Sequence, residues 1–350
     1  MAVKKNIRKY IIVGLIICIL YTIFASTPLS KEHQFTQLWN MEIDISNIEE
    51  NAKAENYFIL GQNLGYFSND GKLCSLLSFP FRATVSNSSY TTYTTNNNSL
   101  KIFSPIGEEL FSINESGFPL INENNVFVFL PGGTSFARYV GETKKYEYNG
   151  VIPISAFQSA DNTCVLGFAD GKICVIAEDG TPSFQFFPGG SDYPIILGLA
   201  LSPDKTMIAS VSGQNPQRFV LTQYDASQSK VIFNHTVDKS DTRQRLVSFS
   251  RDNTTVYYDT KDAFFVVDAK LGKQTSIPIK SQVLSFQEND SLVFLLAKNQ
   301  NIYTVYVIEK PSTLCAEFSF SARNAFLKVK GDTLFVGKDS SISCIKLNQN

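Results

Sequence analysis

From residue 56 onward the chain consists of short runs in which apolar and polar residues alternate. Each run has about 5 to 8 residues, the length of a half-buried strand, and ends in Gly, Asn, Asp, Ser or Pro. A 3.6-residue period is almost missing there, so the pattern predicts an all-β domain. The exception lies at the N-terminus. Tyr10 to Ala25 reads YIIVGLIICILYTIFA and is apolar on every side. Such a segment predicts a helix with no face to turn to water.

The strands recur as a unit. An apolar strand runs into Ser, Asp or Glu, then into a short turn often closed by Gly, then into a second strand. The copies are Tyr66 to Gly71, Ile102 to Gly107, Val175 to Gly180 and Val266 to Gly272, with looser versions at Ala137 to Gly141, Gln223 to Gln228 and Tyr306 to Pro311. Their turns fall near residues 71, 107, 141, 180, 228, 272 and 311, spaced 34 to 48 residues apart. The Gly supplies the positive φ that a tight hairpin demands. Further strand pairs precede several copies, as at Leu197 to Asp204 with Met207 to Val211. A four-stranded unit of this length is that of a propeller blade, and its alternation predicts one face packed on the next sheet.

The strings FSNDGKL from Phe67, FSPIGEEL from Phe103 and VVDAKLGKQ from Val266 carry a resemblance to the WD40-like and PQQ-like (quinoprotein-like) β-propellers. It covers nearly all of residues 36–347. The resemblance implies a β-propeller, a fold that hosts many functions. It implies no PQQ, because the docking tryptophans of quinoprotein propellers have no counterpart in a chain whose only Trp is Trp39. The adjacent Cys pair of the quinone-dependent alcohol dehydrogenases is also missing.

Seven turn motifs predict seven blades. After them, Ala325 to Val329, Thr333 to Val336 and Ile342 to Leu347 supply only three strands. Leu38 to Ile43 is an alternating stretch with no other partner, and it predicts closure of the ring as the fourth strand of an eighth blade. Closure removes exposed sheet edges. Seven blades is the alternative.

Lys4, Lys5, Arg8 and Lys9 precede the apolar segment, and no charge follows until Lys31. As a helix, Tyr10 to Thr27 is about 27 Å long, near the roughly 30 Å of a bilayer core. The expected layout is a cytoplasmic basic tail at 1–9, a transmembrane signal-anchor at 10–27, a linker at 28–35 and the propeller at 36–350. A cleaved signal peptide and a lipoprotein are the rivals. Small residues do not flank Ala25 in the way cleavage needs, and Ile17 stands where a lipobox before Cys18 needs a small residue.

Composition and charge narrow the function. The chain holds 31 basic and 32 acidic residues, and four of the basic ones lie in the tail. An acidic remainder argues against a nucleic-acid partner. Two His leave little for His-based catalysis or metal binding, and no Cys/His spacing suggests zinc. Cys74, Cys164, Cys174, Cys315 and Cys344 each sit in an apolar strand and read as buried hydrophobes. A two-residue turn at Asp170-Gly171 would set Cys174 opposite Gly167, so no disulfide to Cys164 is expected.

His235 and His33 read as packing or surface residues. Leu130 to Ser135 and Phe187 to Ser191 read as turns at equivalent places in adjacent blades, since neither has the Gly-Lys-Ser/Thr of a phosphate loop. The Asp-Gly pairs at 70, 170 and 179 read as hairpin turns. Two polar stretches, Ser86 to Asn98 and Asp238 to Arg245, are candidate binding surfaces on a rim. No catalytic, cofactor-binding or metal residue is predicted, and no cofactor.

The expectation is a membrane-anchored, extracytoplasmic propeller acting as a protein-interaction scaffold in the cell envelope. It would sit in a bacterial inner membrane, with the N-terminus in the cytoplasm and the propeller in the periplasm. Its partners would be envelope proteins and, through residues 10–27, the lipid bilayer. The alternatives are an exported propeller enzyme of the glycan lyase or hydrolase type, and a small-ligand or glycan sensor.

Overall fold

The computed structural model describes residues 2–25, 33–225 and 228–349. The chain divides into two compact units, residues 1–34 with 348–350, and residues 35–347. The first unit contains helix α1, Ala2–Ala25. Its side chains from Tyr10 to Tyr21 are exposed, Tyr10 at 75% and Ile17 at 60%. Among the described residues no helix is long and apolar enough to cross a membrane. Ser26 and Thr27, the end of the expected span, lie outside the described residues, as do residues 28–32 of the linker.

The second unit is an eight-bladed β-propeller. Each blade is an antiparallel sheet; among the described residues seven have four strands and the first has three. Eight hydrophobic clusters each join two successive blades, and together they complete the ring. Aromatic rings fill these joints. Phe219 of blade five stacks on Tyr258 of blade six at 4.0 Å, and Phe136 of blade three packs on Phe157 of blade four at 5.6 Å. The many Phe and Tyr residues thus serve eight interfaces rather than one central core.

The expectation of one buried face per sheet needs correction. Middle strands are buried on both faces, as in Ile173–Ile176 and Met207–Gln214. A blade is sandwiched between two neighbours, so both sides of its middle strands leave water. The alternation persists at the blade edges, as in the outer strand Thr313–Ser321 and the inner strand Phe118–Asn122.

The seven turn motifs all lie between the third and fourth strand positions of a blade. In the turns at Gly71, Gly107 and Gly180 the same hydrogen-bonding frame recurs: Ser68 N–H donates to Lys72 O, Ser104 N–H to Glu108 O and Ala177 N–H to Thr181 O, each at 2.8 to 2.9 Å. The closing Gly has φ of +85°, +91° and +88°, as a turn followed by a bulge requires.

Ring closure follows the expected route. Strand His33–Glu42 pairs with Ser341–Gln349 at the outside of blade eight, beyond Thr333–Lys338 and Ala325–Lys330. Ile43 N–H donates to Ser340 O at 2.7 Å and Ser343 Oγ bonds Asn40 Oδ1 at 2.9 Å. Trp39 on this strand packs on Phe335 of blade eight and Phe67 of blade one, so the sole tryptophan sits at the joint between blades eight and one.

Blade one departs from the others. Its first hairpin turns at Gly61, where a Cβ would stand 2.9 Å from Nδ2 of Asn324 in the link between blades seven and eight. That rim also carries the second-to-third turn of blade eight, whose Asp339 N–H donates to Asn324 O, so the strands Asn56–Leu60, Asn63–Phe67 and Leu73–Ser78 run as the second, third and fourth of a blade. Among the described residues the first, innermost strand is missing. The residues that would form it run along the outside instead, through a short 3-10 turn at Ile45–Asn47 and a parallel bridge from Ile48 to Leu73.

Candidate functional site

The first strands of successive blades line the axis of the ring. Ala156 to Gln158, Leu197 to Leu199, Gln244 to Val247 and Val283 with Leu284 surround a cavity of about 380 Å³. At its edge the link Asp238 to Arg245 folds inward. Arg245 is buried, with its guanidinium 3.5 Å from Asp259 and 3.4 Å from Asp241. Asp259 also accepts Leu246 N–H at 2.6 Å. Burial pushes the Asp259 carboxyl up to about 6, and Arg245 opposes that rise. The exposed Arg243 side chain lies 2.6 Å from Asp241 and, as its hydrogen-bond donor, holds that carboxyl down at about 2. Gln244 Nε2 reaches Ser155 O of blade four at 3.1 Å. This stretch therefore pairs its charges with one another and with Asp259 and Asp262 of blade six, and braces the channel.

A second cavity, of about 610 Å³, lies across the axis. Tyr57 and Ile59 of blade one, Asn87 of blade two, Ser285 of blade seven and Lys328 of blade eight line it, and Leu284 borders both cavities. Lys328 Nζ lies 4.0 Å from the centre of the Tyr57 ring and donates to Asn87 Oδ1 at 2.8 Å. Burial is the main cause that lowers its ammonium to about 8, and Lys330 adds to it.

On the rim that holds the links between blades, Phe81, Arg82, Tyr93 and Thr94 to Asn96 line a groove of about 510 Å³. Phe81 is 66% exposed, and the Arg82 guanidinium lies over Phe118 at 5.7 Å.

The sequence matches, over residues 1–350, a family described as a beta-propeller protein. The chain belongs to this beta-propeller family. It is 26% identical over 361 residues to an uncharacterized protein of Treponema pallidum (strain Nichols), covering 99% of this chain and 96% of that one. Among solved structures it resembles BamB from Moraxella catarrhalis, with a TM-score of 0.62 at 12% identity, over 89% of this chain and 100% of BamB. The computationally designed Ika8 protein gives the same TM-score at 16% identity, over 84% of this chain and 92% of Ika8. At these identities the two likenesses show the fold alone.

The propeller places the residues singled out in the sequence as follows. Ser86 to Asn98 is split between the rims. Ser86 organises a tight turn by accepting Ser89 N–H at 3.2 Å, Tyr90 stacks on Phe103 at 5.5 Å, and only Thr94 onward reaches the groove beside Phe81. His235 Nδ1 lies 2.8 Å from Tyr258 Oη and its ring packs on Phe265, between blades five and six. Burial lowers its pKa. The His33 side chain lies outside the described residues.

Two readings of turns are corrected. Leu130 to Ser135 joins the second and third strands of blade three, whereas Phe187 to Ser191 links blade four to blade five, so the places are not equivalent. The turn at Gly171 holds three residues, with Phe168 N–H bonded to Lys172 O. That sets Cys174 opposite Leu166, not Gly167, because the bulge shifts the register by one. All six cysteines are unpaired thiols. The Asp-Gly pairs form turns, and Asp170 and Asp179 each accept the N–H two residues on. Among the described residues no group of three or more His, Cys, Asp or Glu is placed to hold a metal ion.

Sequence reasoning missed Lys328 and Phe81. Lys328 sits in an ordinary alternating strand, and only the ring shows that this strand lines the axis. Phe81 carried a weak signal, a bulky aromatic between Pro80 and Arg82 in a link that should be polar.

Proposed function

We propose that this protein is an envelope scaffold: a propeller that gathers partner proteins and is held to a bacterial inner membrane by residues 10–27, with its N-terminus in the cytoplasm and the propeller in the periplasm. The observation that carries the reading is the pairing of a rigid eight-bladed ring with an N-terminal helix whose apolar side chains are exposed. Such a helix is stable only if lipid or protein covers it. The basic residues Lys4, Lys5, Arg8 and Lys9 before it fit retention on the cytoplasmic side. The fold shared with BamB and the full-length similarity to a Treponema protein fit a bacterial scaffold.

An enzyme of the lyase or hydrolase type needs Arg, Tyr and acids converging on an open mouth. Here the converging Arg245, Asp241 and Asp259 are committed to one another.

The test is chemical crosslinking of intact cells followed by capture of the tagged full chain. A stoichiometric envelope partner in the membrane fraction is the expected result. Repeated recovery of the propeller alone, or its release from membranes by alkaline carbonate, would overturn the scaffold and the anchor respectively.

A further inference from the structure

Blade one exposes a sheet edge inside the ring. Its innermost strand, Asn56–Leu60, pairs on one side with Asn63–Phe67, and among the described residues no strand pairs with the other side. The hairpin between them turns at Gly61, with φ of +62°, and Gln62. Gly at the first turn position marks a two-residue turn whose flanking residues, Leu60 and Asn63, exchange both hydrogen bonds. Antiparallel pairs alternate, so Phe58 and Asn56 also bond inward to the sheet. The N–H and C=O of Tyr57 and Ile59 then point into the 610 Å³ cavity. An unpaired edge of this kind is a template for another strand.

The cavity adjoins this open edge. Lys328 of blade eight reaches past Tyr57 of blade one to touch Asn87 of blade two. The cavity is also chemically incomplete. Among the described residues no carboxylate pairs with the Lys328 ammonium, and Lys330 beside it adds positive charge. Ser285 Oγ, in the cavity wall, is buried without a hydrogen-bond partner. A site with an open backbone edge, an unneutralised cation and a spare hydroxyl favours an extended peptide that brings a carboxylate.

We propose that the open edge of Asn56–Leu60 is a docking site for an extended segment of a partner protein, which adds as the missing first strand of blade one and offers an Asp or Glu side chain to Lys328. This deepens the scaffold reading and rests on it, because it says where the partner engages. Main-chain hydrogen bonds to Tyr57 and Ile59 supply affinity, and the Lys328 contact supplies the preference for acid. A segment of five residues spans about 17 Å, which matches the open strand.

The test is a selection of random nonapeptides displayed against the full chain in detergent. The enriched peptides should alternate apolar residues around one Asp or Glu. The best of them, made synthetically, should bind Lys328→Met at least about tenfold more weakly, in line with loss of a charge-assisted hydrogen bond. It should also bind Ile59→Pro more weakly, since that variant removes an edge N–H without touching the existing ladder. Melting curves establish that each variant is folded, and Lys328→Met carries the test if Ile59→Pro is not. Hydrogen exchange should show new protection at Tyr57 and Ile59 when the peptide binds. No enrichment, equal binding to Lys328→Met, or protection confined to the outer rims would overturn the proposal. A partner recovered by crosslinking in that case leaves the scaffold reading standing without this site.

Discussion

Substituting Gly71 by alanine should destabilise the propeller through two effects that can be separated. Gly71 closes the second turn of blade one with φ of +85°, and a Cβ there would stand 2.8 Å from Cδ2 of Trp39. The left-handed backbone costs a residue with a side chain about 1–2 kcal/mol. Forcing a methyl group against a packed ring costs a further ~1–3 kcal/mol. The sum is about 3 kcal/mol. Trp39→Ala alone loses ring contacts with Phe335 at 5.8 Å and Phe67 at 6.4 Å and the hydrogen bond from Nε1 to Asn69 O at 3.1 Å. Because Trp39 is partly exposed, that loss is about 2 kcal/mol, less than the roughly 3–5 kcal/mol of a fully buried aromatic. In the Trp39→Ala background the steric effect vanishes and only the backbone effect stays. Gly71→Ala should then cost about 1–2 kcal/mol, leaving a coupling of about 1–3 kcal/mol between the two sites. Urea unfolding of the four proteins, followed by far-ultraviolet circular dichroism, measures each term. If Gly71→Ala costs the same with and without the indole, the contact that seals blade eight to blade one is not the one described.

Two more outcomes are expected. Asp259 has a folded pKa near 6, above its unfolded value, so the stability it contributes is full below about pH 4 and is lost as pH rises through 6. The stability difference between the wild type and Asp259→Asn should change by about 3 kcal/mol over that window, and a flat difference in a pH series of urea titrations would refute it. Burial pushes the thiols of Cys74, Cys164 and Cys174 up to about 11. A thiol reagent at pH 8 should leave these three unmodified in the native protein and label them in urea, as peptide mass analysis would show; prompt native labelling of Cys164 would contradict the register of blade four.

Much of the architecture is legible from near neighbours along the chain. Gly71, Gly107 and Gly180 announce their turns because positive φ is a local demand. The eighth blade is legible because three final strands lack a fourth and Leu38 to Ile43 lacks a partner, which is simple strand arithmetic. The Cys174 register was misread because a three-residue bulged turn and a two-residue turn share the same Asp-Gly signal. The candidate sites were less legible. Asp238 to Arg245 looks like a solvated loop in the sequence, yet Arg245 turns inward because Asp259, fourteen positions on, sits across the strand pair.

The chain pattern by itself determined the strands, the turns, the repeat and the apolar N-terminal helix. Side-chain alternation and backbone φ are set within a few residues, so they survive in a one-dimensional record. Only the tertiary structure decided that blade one lacks its inner strand among the described residues, that both faces of the middle strands are buried, and that Lys328 meets Tyr57 and Asn87 at the axis. Those outcomes depend on how eight sheets close on one another. Residues 57, 87 and 328 share no local signal, and it is the ring that brings them together.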